Sequence, residues 1–146
     1  MRRWFFLVSC LLSLSFSGEV AAQERDVELK KARRVVALSS LSADLVVSIN
    51  PNVLIGVPGT SLTNKDPRYA GLKRVSNGRS QPSVELVLAL NPDLVIGAEG
   101  FHSRVLSALN KLGIPTLAVK VNRWDRLESA SRTLEERIFD AELIDS

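Results

Sequence analysis

An α/β fold is predicted: a three-layer sandwich on a mainly parallel central sheet. Three observations carry that expectation. Four short runs, "RVVALSS", "NVLIGVPG", "DLVIGA" and "IPTLAVKV", are apolar, rich in β-branched residues and closed by Ser, Gly or Pro. The segments between them include stretches with apolar residues at helical spacing. Most connections are short, as strand–helix alternation in a parallel sheet requires.

The first run opens with Arg34 and reads as a strand. "SADLVVSIN" follows as a helix, with Ser42 or a neighbour as its cap and Asn50-Pro51 as its stop. "NVLIGVPG" repeats the strand signal, and Gly56, Pro58 and Gly59 punctuate its end. "TSLTNKDPRYAGLKRVSNGRS" lacks helical periodicity and is expected to be a long ordered loop, a kind that often carries function. In "QPSVELVLALNPDLVIGAEG", Pro82 suits a first helical turn, Val84 to Leu90 is apolar on nearly every side, and Asn91-Pro92 forbids continuation. A short buried helix is expected there, then a strand apolar enough to be covered on both faces. "HSRVLSALNKLG" places Val105, Leu106, Leu109 and Leu112 on one stripe, with Gly113 as the stop. After the strand "IPTLAVKV", "RWDRLESASRTLEERI" reads as an amphipathic helix through Trp124, Leu127, Leu134 and Ile138.

With 146 residues, 45% hydrophobic and 24% charged, the chain has the composition of one globular domain with its own core. Residues 1–22 stand apart. Arg2 and Arg3 precede "WFFLVSCLLSLSF", and "VAA" offers small residues before Gln23, the order of a secretory signal cleaved after Ala22. A lipoprotein box at "LVSC", with Cys10 lipidated, is the less favoured alternative, because only about six apolar residues would precede it where roughly 7 to 15 are expected. Cleavage after Ala22 removes Cys10, the chain's one cysteine, so no disulfide framework is expected in the exported product. Residues 23–33 form a polar lead. A net charge of only +3 argues against nucleic acid as a partner.

Ligand sites of parallel sheets lie at the carboxyl ends of the strands. That rule nominates Ser39, Ser40 and Leu41; Pro58, Gly59, Thr60 and Ser61; Asn77, Gly78 and Arg79; and Glu99, Gly100, Phe101 and His102. His102, the chain's one histidine, is expected to open a helix and face solvent, and one histidine does not make a bare metal site. No G-x-G-x-x-G, P-loop or G-x-S-x-G pattern is present, so nothing specific points to an enzyme, and no cofactor is implied.

"RVVALSSLSADLVVSI", "VLIGVPG", "PSVELVLALNPDLVIGAEG" and "LNKLGIPTLAVKV" together resemble the amino-terminal lobe of the periplasmic binding proteins for iron-siderophores, haem and cobalamin, the substrate-binding components of ABC importers. The resemblance runs from about 34 to 134, and the apolar helix with its early Glu and the Asn-Pro-Asp break are its most specific part. It implies a single lobe of a normally two-lobed binding protein, a ligand held in the cleft between lobes, a periplasmic location, and docking to an importer permease in the inner membrane.

The resemblance also assigns roles. Glu85 matches the family's permease-docking glutamate, although a carboxylate in the first helical turn is favoured by the helix dipole without any partner. Arg79 falls in a loop that supplies ligand contacts in cobalamin-type relatives, and its planar fork suits anionic groups. Ser39, Ser40, Thr60, Ser61, Asn77, Arg79, Glu99 and Phe101 are the cleft candidates. The resemblance fades near Glu135, and residues 135–146 are expected to be the truncated start of the linker region, so the second lobe is missing from this chain. An isolated interaction module or a non-functional truncated remnant is the alternative function, and an α/β enzyme comes after both.

Overall fold

Val35, Val36 and Ala37 are all fully buried, and successive strand residues point to opposite faces, so the strand they form needs an apolar layer on each side. The computed structural model describes residues 31–120 and 124–138. In order these form β1 (Val35–Ala37), α1 (Ser40–Ile49), β2 (Leu54–Val57), α2 (Ser61–Lys65), β3 (Lys73–Arg74), α3 (Val84–Ala89), β4 (Leu94–Ala98), α4 (Ser103–Lys111), β5 (Thr116–Val119) and α5 (Trp124–Arg137). The strands pair in the order β3-β2-β1-β4-β5, every pair parallel. The proposed cleavage site, Cys10 and the polar lead as far as Lys30 lie outside the described residues.

Side-chain alternation divides the interior into two cores. Val35, Ala37, Leu54, Leu94 and Ile96 pack with Val46 of α1 and Leu134 of α5. On the other face Val36 and Val95 meet Val87 of α3 and Leu106 and Leu109 of α4. Two helical layers therefore enclose one parallel sheet, the expected three-layer sandwich. The α5 helix runs on to Arg137, and Ile138 is fully buried in the first core. Among the described residues no helix is long and apolar enough to cross a membrane.

Several local expectations are corrected. The cap of α1 is Ser39, whose hydroxyl accepts the Ser42 amide at 3.1 Å, while Ser42 itself is buried inside the first turn. The stretch after β2 is not an unstructured loop. Thr60 and Thr63 form a capping box that starts α2, and β3 adds an edge strand. Arg74 organises this connection by donating to Asn64 Oδ1 at 2.8 Å and to the carbonyls of Leu72 at 2.9 Å, Tyr69 at 3.1 Å and Thr63 at 3.3 Å. From α1, the Asp44 carboxylate accepts both the Tyr69 hydroxyl and the Arg68 guanidinium, pinning the middle of the connection to the helical layer.

The α3 helix is not buried. It has only six residues and turns one edge to the sheet, so Val87 is enclosed while Leu86 and Leu88 remain 51% and 38% exposed. Its Asn-Pro-Asp ending has a plain physical account. Asn91 adopts φ 49°, the left-handed conformation that closes helices. Arg34 donates to the carbonyls of Leu90 at 2.7 Å and Asn91 at 3.1 Å, satisfying acceptors that a helix end leaves open. Asp93 then accepts the amides of Arg33 and Arg34, both at 3.1 Å, which ties the break to the start of β1. In α4, Val105, Leu106 and Leu109 are buried as expected, but Leu112 is 60% exposed because the helix has already ended at Lys111.

Candidate ligand-binding site

The strand order reverses direction between β1 and β4, and at such a switch point the following helices leave on opposite sides and open a crevice. Here α1 leaves β1 toward one face and α4 leaves β4 toward the other. A cavity of about 230 Å³ lies over this point, between the loops that follow β1, β2, β3 and β4. A second, of about 350 Å³, lies over the ends of β1, β4 and β5 and shares Ser39 and Ala98 with the first. A third hollow, about 320 Å³, lies between β5 and α5 and shares Val119 and Lys120 with the second.

Hydroxyl groups bind the loops to one another at the first cavity. Ser40 and Thr60 meet at 2.8 Å, joining the turn after β1 to the turn after β2. Thr60 is held by Thr63, whose hydroxyl donates to the Pro58 carbonyl. Gly59 and Gly78 let the turns after β2 and β3 touch: a Cβ on Gly78 would lie 2.7 Å from the Gly59 carbonyl oxygen, and Gly78 has φ 80°. Gln81 donates to the Phe101 carbonyl at 2.9 Å and so links the approach to α3 with the turn after β4.

Of the nominated residues, Ser39, Ser40, Thr60 and Phe101 line the first cavity and Glu99 the second. Asn77 organises the rim: its side-chain oxygen accepts the amides of Arg79 and Ser80 at 3.0 Å and the Ser80 hydroxyl at 2.9 Å. Arg79 is exposed on that turn, and its guanidinium has no partner among the described residues. Ser61 is exposed at the head of α2, off the cavity walls. Glu99 is 3.6 Å from Lys120, a half-exposed ion pair across the ends of β4 and β5. Glu85 lies away from the cavities, exposed on α3. The Ser83 hydroxyl donates to it at 2.7 Å and, with its own backbone amide, holds its carboxyl below the usual carboxylate range.

The expectation that His102 faces solvent is overturned. It is 4% exposed, lines the first cavity and accepts the Ala98 amide on Nδ1 at 2.9 Å. Phe101 stands edge-on to its ring, with centroids 4.8 Å apart. The sequence held a signal for this packing in Gly97, since glycine inside a strand marks a close approach. A Cβ there would lie 2.9 Å from His102 Cβ. Lys120, Ser76 and Ser80 also line the cavities without having been nominated. Lys120 was within reach of the strand-end rule, since it follows β5 directly. Among the described residues no group of three or more His, Cys, Asp or Glu side chains is placed to hold a metal ion.

The family model described as "Periplasmic binding protein" matches residues 35–138, which is most of the chain and every element from β1 to α5. The chain belongs to the periplasmic binding protein family. Crystal structures agree in fold. The periplasmic vitamin B12 binding protein of Vibrio cholerae is 22% identical, with a TM-score of 0.64 over 77% of this chain and 44% of that one. A possible iron-binding periplasmic protein of Staphylococcus epidermidis is 19% identical, with a TM-score of 0.61 over 74% and 44%. A periplasmic heme binding protein of Pseudomonas aeruginosa is 29% identical, with a TM-score of 0.56 over 73% and 40%. The chain thus spans less than half the length of each of these structures. No curated protein matches it by sequence. The family consists of substrate-binding proteins, and in this periplasmic binding protein the switch-point crevice is the place where a ligand fits the rule for parallel sheets.

Proposed function

We propose that this periplasmic binding protein supplies one ligand-binding wall of the substrate-binding component of an ABC importer, with an iron-siderophore, haem or a cobalamin as ligand. The observation that carries this reading is the hydroxyl-lined, largely apolar crevice at the β1–β4 switch point in a chain matched by the family model from 35 to 138. Structures of similar fold include proteins described as binding vitamin B12 and heme. Ser39, Ser40, Thr60, Phe101 and Glu99 are the wall, Asn77 shapes the rim, Arg79 reaches from it toward anionic groups, and Ser61 is the outlying member. The role is binding rather than catalysis.

Glu85 is the docking residue toward the importer permease. It is presented on a short exposed helix beside Leu86 and Leu88, an apolar surround in which one fixed carboxylate can select a guanidinium partner. Export follows the amino-terminal pattern, with cleavage after Ala22. Amino-terminal sequencing of the exported product tests this: a chain starting at Gln23 supports it, and one starting at a lipidated Cys10 replaces it with membrane anchoring. Ligand class is tested by titrating the purified chain with ferric siderophores, haem and cobalamin while following intrinsic fluorescence. Saturable binding that weakens when Ser40 and Thr60 are both changed to Val supports the reading, and binding insensitive to those changes removes the crevice from it.

A further inference from the structure

His102 is the only histidine in the chain, and its surroundings leave it one open valence. The Ala98 amide donates to Nδ1, so Nδ1 contributes its lone pair and the hydrogen of the neutral ring sits on Nε2. Nε2 has no partner among the described residues. No described side-chain nitrogen or oxygen that is sealed from solvent lacks a partner, so Nε2 opens onto the cavity that the residue lines. The ring cannot turn away freely, because Gly97 and Phe101 hold it on two sides. Burial lowers its pKa, which keeps the ring neutral and the donor in place at neutral pH.

A second set of donors lies at the amino end of α1, where Ser39 and Ser40 line the same cavity and Leu41 the adjoining one. Ser39 caps α1, a ten-residue helix; of the helix's leading amides its hydroxyl takes that of Ser42, and it also meets the Ser42 hydroxyl at 2.7 Å. The amides of Ser40 and Leu41 head the helix with no intrahelical acceptor, at the end where the helix dipole favours negative charge. The walls of the cavity include no lysine, arginine, aspartate or glutamate. Neutral donors of this kind suit a singly charged oxygen group better than a multiply charged one, which needs compensating cations.

The geometry points to His102 Nε2–H, together with the amino end of α1, as a subsite for a carboxylate oxygen on the ligand. This rests on the reading of the crevice as a ligand site, and it goes beyond it by naming the recognised group. It also sets the role of the histidine. Coordination of a metal through Nε2 would require loss of the hydrogen that the Ala98 contact fixes there, so the ring acts as donor and not as metal ligand.

One histidine makes the test a single-residue measurement. Long-range proton–nitrogen correlation spectra of the purified, nitrogen-15-labelled chain report the tautomer directly. A protonated Nε2 is expected, and a protonated Nδ1 overturns the proposal. Citrate is then titrated at constant ionic strength. A saturable shift of the Nε2 resonance is expected, and its absence overturns the proposal, as does a tighter response to inorganic phosphate. His102→Phe should weaken citrate binding by about tenfold or more, the effect of one hydrogen bond to a charged group. His102→Gln, which keeps a donor, should recover most of it. Should the Phe variant fail to fold, the tautomer and the citrate shift in the unaltered chain still decide the matter. Haem carries propionate carboxylates, so haem binding that is unchanged in a folded His102→Phe chain leaves the binding function standing and overturns this subsite. A citrate-dependent shift with no binding of siderophore, haem or cobalamin sustains the subsite and counts against the ligand classes proposed above.

Discussion

Glu85 and His102 exchange the environments that their sequence neighbourhoods suggest. Glu85 sits in the most apolar helix and is fully solvated; His102 sits beside Glu99 and Ser103 and is enclosed. Each leads to a prediction. In a chain extended to the length of the structures it matches, Glu85→Ala should lower importer-dependent uptake by about tenfold, the effect of losing one charge-assisted contact, while ligand affinity stays nearly constant. Parallel losses in uptake and affinity would place the residue in the crevice or the fold instead. For His102 the sign of the pH effect follows from a folded pKa lowered below 6.5 by burial. Above that value the ring is neutral in both states and adds nothing. As pH falls below it, the unfolded chain takes up a proton that the folded chain resists, so stability declines until the lowered value is passed. His102→Gln should flatten this acid-side decline, as read from urea melts at a series of pH values. The burial of His102 was hard to see in the sequence because it depends on Gly97, five positions earlier, leaving room on a neighbouring strand end. Ser39, Ser40, Thr60 and Phe101 were legible, since the strand-end rule needs only the strands to be right.

At the scale of elements, the four strands with apolar runs were legible and β3 was not. Its two residues are Lys73 and Arg74, and an edge strand this short has no hydrophobic period to read. The five residues of α2 are likewise too few for one, although Thr60 with Thr63 was a recognisable capping pair. The connection from Pro58 to Ser80 holds its shape through Arg74, Asp44 and Tyr69 rather than through an apolar stripe. Tyr69 is buried with its hydroxyl on Asp44, and both burial and that contact push its ionisation well above the ordinary tyrosine range. Arg74→Met should therefore destabilise the protein by about 1–3 kcal/mol, since it removes charged hydrogen bonds to several partners. Hydrogen exchange should show the loss concentrated between Pro58 and Ser80, and a uniform loss over all strands would assign Arg74 to the global fold. The α3 helix was misjudged for a related reason. Composition reports how apolar a segment is, but not which of its edges a six-residue helix can bring to a sheet.

For the whole molecule, the crevice is shallow relative to the ligands proposed for it. Cavities of about 230 and 350 Å³ lie at or below the lower end of the range for sites that enclose a small ligand, roughly 300–1,000 Å³. One wall should contribute only part of the binding energy: if a complete site held its ligand at about 1 μM, half that energy corresponds to about millimolar. Titration of the chain with haem and cobalamin should accordingly show nothing tighter than about 10 μM, accompanied by a cooperative thermal melt. Submicromolar binding by the monomer would refute the one-wall account, and tight binding by a dimer would assign the opposite wall to a second copy.

The bridge between Ala32 and Ile138 has a topological consequence. The Ala32 amide donates to the Arg137 carbonyl at 2.6 Å, so the chain enters β1 and leaves α5 at one place, at the amino end of the sheet. The crevice lies at the carboxyl end. The path from Ala32 to Ile138 is therefore nearly a closed ring, and where that ring is cut matters little to the packing of either core. Joining the two points with a few flexible residues and reopening the ring at Gly113, a surface glycine with empty space around it, should give a circular permutant that keeps the parallel sheet and the crevice. Matching the citrate response of its His102 resonance to that of the original order would show that the site is a property of the ring and not of the point at which synthesis begins.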